Sequence, residues 1–412
     1  MFKELKVIKL IVLVGLLIAI LLKIDFSELA INQFFSTDVS YNKSDSVDFV
    51  VDTYSSISFS KTLNLTNLRG DKLANFNAEI NSVNKKNAIE TLKQGFSTIN
   101  VSGYHLKELK QSGIYLIENK FPLVVKSNEL SDITVVYPYM NNLIYTKEKN
   151  QSVFESNLNK TSLNRKSEVD IFTRGLQGFF DTISSKYKVN YITDIDLEEE
   201  GNINQSKLLI IYGKSTFWTP KMRETLTSFI FKGGNVLLLS TYTLNNVCWN
   251  NKEDKSILLY DKTKSKAIES WKTYNGKKSI DLIGCSYVYG GTSDKANYII
   301  KDKHHAIFNG VEKISISAPL YNSPPVVWTN KEPEITFGDK AFYQSDILAY
   351  NESITSSKKK GVKGIFELQQ DSTSGKILNL GTQNWCLAYE KDTNIQKIAL
   401  NSVDYLINEF NK

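Results

Sequence analysis

The chain has 412 residues, of which 41% are hydrophobic and 23% charged. That length predicts two or three structural units. The balance excludes a disordered chain, a collagen-like chain and a multi-span membrane protein, and three cysteines exclude a disulfide-stapled mini-domain and a four-cysteine zinc site. The net charge is +6, half of it in the first 24 residues, where Lys3, Lys6, Lys9 and Lys23 face only Glu4. The arginines are only Arg69, Arg165, Arg174 and Arg223. Specific nucleic-acid readers depend on arginine forks and clustered charge, so no nucleic-acid partner is expected.

Leu10 to Leu22 reads LIVLVGLLIAILL, without a charged or hydrogen-bonding side chain. The 18 residues from Val7 to Ile24 would span about 27 Å as a helix, enough for a thin bilayer core. Lys9 and Lys23 are placed to snorkel. The preceding lysines hold the N-terminus in the cytoplasm. A cleaved signal peptide wants small residues before the cut, and Glu28 before Ala30 matches poorly. Residues 1–30 are therefore read as a cytoplasmic tip and an uncleaved transmembrane anchor. The protein is expected in the cell membrane, single-pass, with the bulk of the chain outside the cytoplasm.

Residues 31–46 are polar and aperiodic and read as a linker. Residues 47–128 alternate short β-branched and aromatic runs (VDFVVD, SISFSKTLNL, FSTINVSGYHL, SGIYLIENKFPLVVKS) with polar breaks, which predicts a small β-sandwich. Within it, Lys72–Gln94 reads as loop or helix. From 129 to 412 the pattern changes to continuous apolar strands, ITVVYPY, VNYIT, KLLIIYG, NVLLLST and KILNLGT. Helices are predicted at Glu168–Lys186, at a segment capped by Thr219 with Pro220 at its first turn and Gly233-Gly234 at its end, and at Asn394–Asn408. Strands alternating with helices predict an α/β unit, a doubly wound parallel sheet. Ligands of such sheets sit at the carboxyl ends of the strands. That places Tyr137, Tyr139, Tyr212, Phe217, Trp218, Tyr242, Trp249 and Trp385 around a candidate cleft, with Asn141, Asn142 and Asn384 as hydrogen-bond partners.

The stretch from Ile210 to Trp249, IIYGKSTFWTPKMRETLTSFIFKGGNVLLLSTYTLNNVCW, resembles the large subunit of N,N-dimethylformamidase. So do VNYITDIDLE at 189–198, IGCSYVYGG at 283–291 and LGTQNWCLAY at 380–389. The likeness runs over roughly residues 47–410. It implies a fold like that of class I glutamine amidotransferases and hydrolysis of an amide by iron held through two tyrosinates and a glutamate. Hard anionic oxygens of that kind suit Fe(III). Transferred position by position, the first tyrosine falls on Phe217, the second on Tyr260, and the glutamate on Asn351, with Glu352 beside it. The scaffold residues Trp218, Arg223, Gly233-Gly234-Asn235, Trp249 and Trp385 remain. The resemblance thus implies the fold, and a family site degenerate at its iron ligands. No cofactor is expected; the only metal-ligand candidates left are Tyr260 and Glu352.

Other chemistry is sparse. Cys248, Cys285 and Cys386 lack a strand–helix elbow and read as core thiols. His304 and His305 are adjacent and face opposite ways when extended, so a structural turn is favoured over a metal site. Asp194 and Asp196 read as loop caps, with a paired-carboxylate site as the alternative. No catalytic residue is assigned. The reading is a membrane-anchored binding or scaffold protein of an envelope or surface-polymer assembly, with a glycan or an envelope protein as partner. Its rival is a hydrolase of a non-peptide amide C–N bond. The candidate ligand residues are Tyr137, Asn141, Asn142, Phe217, Trp218, Trp249, Tyr260, Asn351, Asn384 and Trp385.

Overall fold

A computed structural model describes residues 31–36, 38–43, 45–53, 59–80, 99–105, 109, 111–148, 151–152, 159–163, 168–241, 243–260, 268–277, 279–284, 296–316, 328–329, 345–354 and 360–410. The apolar run Leu10–Leu22 lies outside these residues. Among the described residues no helix is long and apolar enough to cross a membrane.

Two sheets come first. Strands β1 (Ile31–Ser36), β3 (Ser46–Thr53) and β6 (Ile99–His105) form one, in the order β1-β3-β6. The other, in the order β2-β8-β7-β4-β5, contains β2 (Tyr41–Asn42), β4 (Phe59–Thr66), β5 (Lys72–Ile80), β7 (Gly113–Ile117) and β8 (Phe121–Lys126). All their pairs are antiparallel except β2 with β8. The strand β5 replaces the start of the stretch read as loop or helix. Its partner is β4 across the turn at Asn67–Gly70, where Gly70 has φ +93°. Thr62 Oγ1 donates to Asn77 Oδ1 across the pair at 2.8 Å. The register, which sequence alone does not carry, decides this element.

The central sheet has ten strands among the described residues. Strands β9 (Ile133–Tyr137), β10 (Val189–Thr193), β11 (Leu208–Lys214), β12 (Asn235–Thr241) and β18 (Lys376–Asn379) pair in parallel in the order β10-β9-β11-β12-β18. These are the five apolar runs of the sequence, and β9 and β10 are buried at every position, as strands covered on both sides must be. Beyond β18 the sheet turns antiparallel through β17 (Lys360–Gln369), β16 (Ser345–Ile354) and β15 (Ala296–Ile300). The sheet is thus mixed α/β, and the wholly parallel sheet expected is present only in its first five strands. A small sheet holds β13 (Trp249–Asn251) and β14 (Ser256–Leu258), paired antiparallel.

Seven helices matter for the site. They are α1 (Tyr139–Tyr145), α2 (Ile171–Arg174), α3 (Gln177–Lys186), α4 (Pro220–Phe231), α5 (Trp271–Asn275), α6 (Asn384–Ala388) and α7 (Thr393–Phe410). In α4, Thr219 Oγ1 accepts from the Met222 N–H at 3.2 Å, and Met222, Leu226, Phe229 and Ile230 are buried. Burying each such side chain stabilises by about 1.5–3 kcal/mol. The helix expected over Glu168–Lys186 is two helices. The backbone leaves the helical region at Leu176, with φ −106° and ψ 7°; beside it, a Cβ on Gly175 would lie 2.3 Å from the Cys386 carbonyl oxygen, so α6 packs too closely for a side chain there.

One hydrophobic core joins the second N-terminal sheet to the α/β part. Leu68, Ile114, Leu116 and Val124 of the second N-terminal sheet and its turn belong to the same cluster as Val135, Tyr191 and Phe180. Polar ties reinforce the junction. Arg174 Nη1 donates to the Leu68 carbonyl at 3.0 Å, Gln177 Oε1 accepts the Leu68 N–H at 3.0 Å, and Asn190 Oδ1 accepts the Ser127 N–H at 2.7 Å.

Candidate functional site

The carboxyl ends of β9, β10 and β11 meet at Asn141. Asp194, the residue after β10, is buried and accepts from the Met140 N–H at 2.8 Å, the Asn141 N–H at 3.2 Å and Asn141 Nδ2 at 3.0 Å. Asn141 Oδ1 accepts from the Phe217 N–H at 2.9 Å, and its Nδ2 lies 3.2 Å from the Phe217 carbonyl. Burial pushes the Asp194 carboxyl up to about 6, while the N–H donors around it pull the other way. Asp196 is separate: its Oδ2 accepts from the Thr193 N–H at 2.7 Å and its Oδ1 from Ser40 Oγ at 2.9 Å. The two carboxylates cap different loops and share no site.

A second network lies beside the first. Asn142 Nδ2 donates to Asp170 Oδ2 at 2.7 Å and approaches the Tyr137 hydroxyl at 3.3 Å. Asp170 caps α2 by accepting from the Thr173 N–H at 2.9 Å. Thr173 Oγ1 donates to Asp170 Oδ2 at 2.8 Å and stands 3.2 Å from the Tyr212 hydroxyl. Burial holds both phenols well above their usual range, so they stay neutral hydrogen-bonding groups.

The rings predicted to line a cleft divide sharply. Tyr137, Tyr212, Phe217, Trp218 and Trp385 are at most 1% exposed. Trp218 Nε1 donates to the Ser215 carbonyl at 2.8 Å and Trp385 Nε1 to the Leu380 carbonyl at 2.6 Å. These rings close the end of the core and present no face to a ligand. Asn141 and Asn142 are likewise buried and spoken for. Asn384 is partly exposed, and its Oδ1 is buried without a hydrogen-bond partner. Trp249 is also partly exposed. Tyr242 and Cys285 lie outside the described residues.

A family model described as N,N-dimethylformamidase beta subunit-like, C-terminal, matches residues 101–396. The chain belongs to this family. No curated protein matches it. A solved structure of a thua-like protein from Bacteroides uniformis ATCC 8492 is similar at 12% identity, over 68% of this chain and 95% of that one, with a TM-score of 0.37.

For a dimethylformamidase-like chain the test is whether its residues fit an iron. The position that the resemblance assigns to a tyrosinate is Phe217, a fully buried ring 6.1 Å from that of Tyr145 and without a ligating atom. Tyr260, 8% exposed, follows β14. The backbone of Asn351 and Glu352 lies on β16, opposite Lys363 and Val362 of β17. Phe366 of β17 already faces Asn379, the last residue of β18, so this part of the β16–β17 hairpin runs past the carboxyl edge. Among the described residues no group of three His, Cys, Asp or Glu is placed to hold a metal. The three-oxygen set of the family does not fit these residues, and no catalytic step is derived through it.

Cys248 and Cys386 are fully buried, and burial pushes both thiols up. His305 opens the turn Ala306–Phe308, its Nδ1 facing the Ile307 N–H at 3.5 Å.

Sequence reasoning missed Asp170, Trp271 and Tyr274. Trp271 and Tyr274 stand one helical turn apart on α5. Their rings are 5.8 Å apart at 82°, and Tyr274 and Trp249 are 5.7 Å apart at 77°. Arg223 lies over the Trp271 ring at 4.8 Å. The spacing W-x-x-Y behind Ser270 was the available signal; its shortness hid the helix.

Proposed function

We propose that this dimethylformamidase-like chain is a non-catalytic binding or scaffold protein, built on a family domain that has lost its iron site. One observation carries the reading: Phe217 fills the core at the tyrosinate position, its backbone held by Asn141. A site that had kept hydrolysis would keep anionic oxygens there. The apolar run Leu10–Leu22 supports a membrane anchor, with the rest of the chain outside the cytoplasm, in an envelope or surface-polymer assembly.

Elemental analysis of the purified chain and an assay with N,N-dimethylformamide test this reading. The expected result is no stoichiometric iron and no amide hydrolysis. The second reading, a C–N hydrolase with a reshaped metal site, is favoured by the β16–β17 hairpin, which carries Glu352 past the carboxyl edge. Near one iron or zinc per chain, lost in Tyr260→Phe, would replace the first reading by the second.

A further inference from the structure

Of the aromatic rings proposed to surround the carboxyl edge, Trp249 keeps exposed surface, and the fold supplies it with a neighbour from elsewhere. Asn246–Val247 pairs in parallel with Phe217–Trp218, and Asn246 also bridges to Ser270. Ser270 caps α5, its Oγ accepting the Thr273 N–H at 3.3 Å. The result brings Tyr274, 39% exposed, against Trp249. The two rings meet edge to face at 77°, both with exposed surface. Trp271 braces the pair from behind, 2% exposed and backed by Arg223. A pair held this way loses little side-chain freedom when a ligand arrives.

The rim is amide-rich. Asn245 Nδ2 donates to Asn246 Oδ1 at 2.9 Å, which leaves the Asn246 side-chain amide hydrogens and Asn245 Oδ1 for a ligand, while the Asn245 backbone carbonyl accepts the Trp271 N–H at 3.2 Å. Asn250 Nδ2 is held by Glu198 at 2.9 Å, and its Oδ1 is buried without a hydrogen-bond partner. Charge in the turn that follows is balanced within the protein: Asp254 pairs with Lys160, and Lys255 with Asp38 at 3.5 Å. Two rings offer far less area than a stable protein interface buries. Aromatic faces beside uncharged amides suit the C–H face and hydroxyls of a sugar.

We propose that Trp249 and Tyr274 form a saccharide subsite, with Asn245 and Asn246 as its hydrogen-bonding rim. This deepens the binding-protein reading and rests on it. Fluorescence titration of the full chain with chitotetraose, maltotetraose and cellotetraose tests it. Saturable binding of at least one is expected. Trp249→Ala and Tyr274→Ala should each weaken it about tenfold or more, with unchanged circular dichroism, and Trp249→Phe should recover most of it. Binding that survives both alanine variants would overturn the subsite and leave the binding-protein reading standing. Failure of the wild-type chain to bind any of the three would overturn the subsite as well. The metal analysis decides the broader reading independently.

Discussion

The side-chain amide of Asn141 donates to Asp194 at 3.0 Å. Through the other end of that amide, which accepts the Phe217 N–H at 2.9 Å, the loop carrying Phe217 is registered against a buried carboxylate. The carboxyl edge is therefore organised by the protein's own groups. Replacing Asn141 by Leu would leave the carboxylate and the Phe217 N–H short of partners inside the core. The expected loss is about 2–4 kcal/mol of unfolding free energy, measured by urea denaturation. A loss under about 0.5 kcal/mol would contradict this account.

Asp194 also sets a pH dependence. Its carboxyl stands at about 6 in the fold against 3.8 ordinarily. The folded chain therefore holds this proton more tightly than the unfolded chain does. The stabilising contribution is complete below the ordinary value and is lost as pH rises through about 6. Asp194→Asn, neutral throughout, should remove a fall on the order of 3 kcal/mol between pH 4 and 6. Parallel stability profiles of the two proteins over that range would refute the assignment.

Gly175→Ala should destabilise strongly. The added methyl would meet the Cys386 carbonyl oxygen at 2.3 Å, a backbone atom that moves only with α6. A loss of about 2 kcal/mol or more is expected in thermal or urea unfolding. Gly201→Ala, with nothing within 4 Å of the added group, serves as the control and should change little.

Thr219→Ala removes the acceptor for the Met222 N–H and should cost about 1 kcal/mol. Thr219→Ser should restore most of it. Equal stability of all three proteins would mean that α4 is fixed by packing alone.

Thiol titration separates the cysteines. Cys248 and Cys386 are buried, with thiols pushed up, and the thiolate is the reactive form. In Cys285→Ser the native chain should react negligibly with an aromatic disulfide reagent, and both remaining thiols should react in guanidinium. Fast native labelling would place one of them at an accessible surface.

Much of the fold was legible because its signals are local. Continuous apolar runs announced the five parallel strands, and Thr219-Pro220 with Gly233-Gly234 bounded α4. The break between α2 and α3 was not legible, since the apolar spacing of Phe172, Leu176, Phe179 and Ile183 runs on across it while the backbone departs at Leu176. The strand β5 was missed because Asn75 and Asn77 weaken its pattern while cross-strand pairing decides it. At the site, a ring at a strand's end reads the same whether it faces a cleft or seals the core. Trp218 and Trp385 seal the core and Trp249 keeps exposed surface, and only the third dimension tells them apart.

The shared core of Leu68, Ile114 and Leu116 with Val135 and Tyr191 bears on cooperativity. Separately stable domains joined by a linker melt in separate steps. Here the N-terminal sheet seats its turn on α2 and α3 through Leu68, Arg174 and Gln177, and the face carrying Ile114, Leu116 and Val124 is buried in the core shared with the α/β part. Residues 47–410 should unfold in one transition. Excising 129–412 would uncover the side of Tyr191 and Phe180 that the sheet now covers, and the product should aggregate rather than fold.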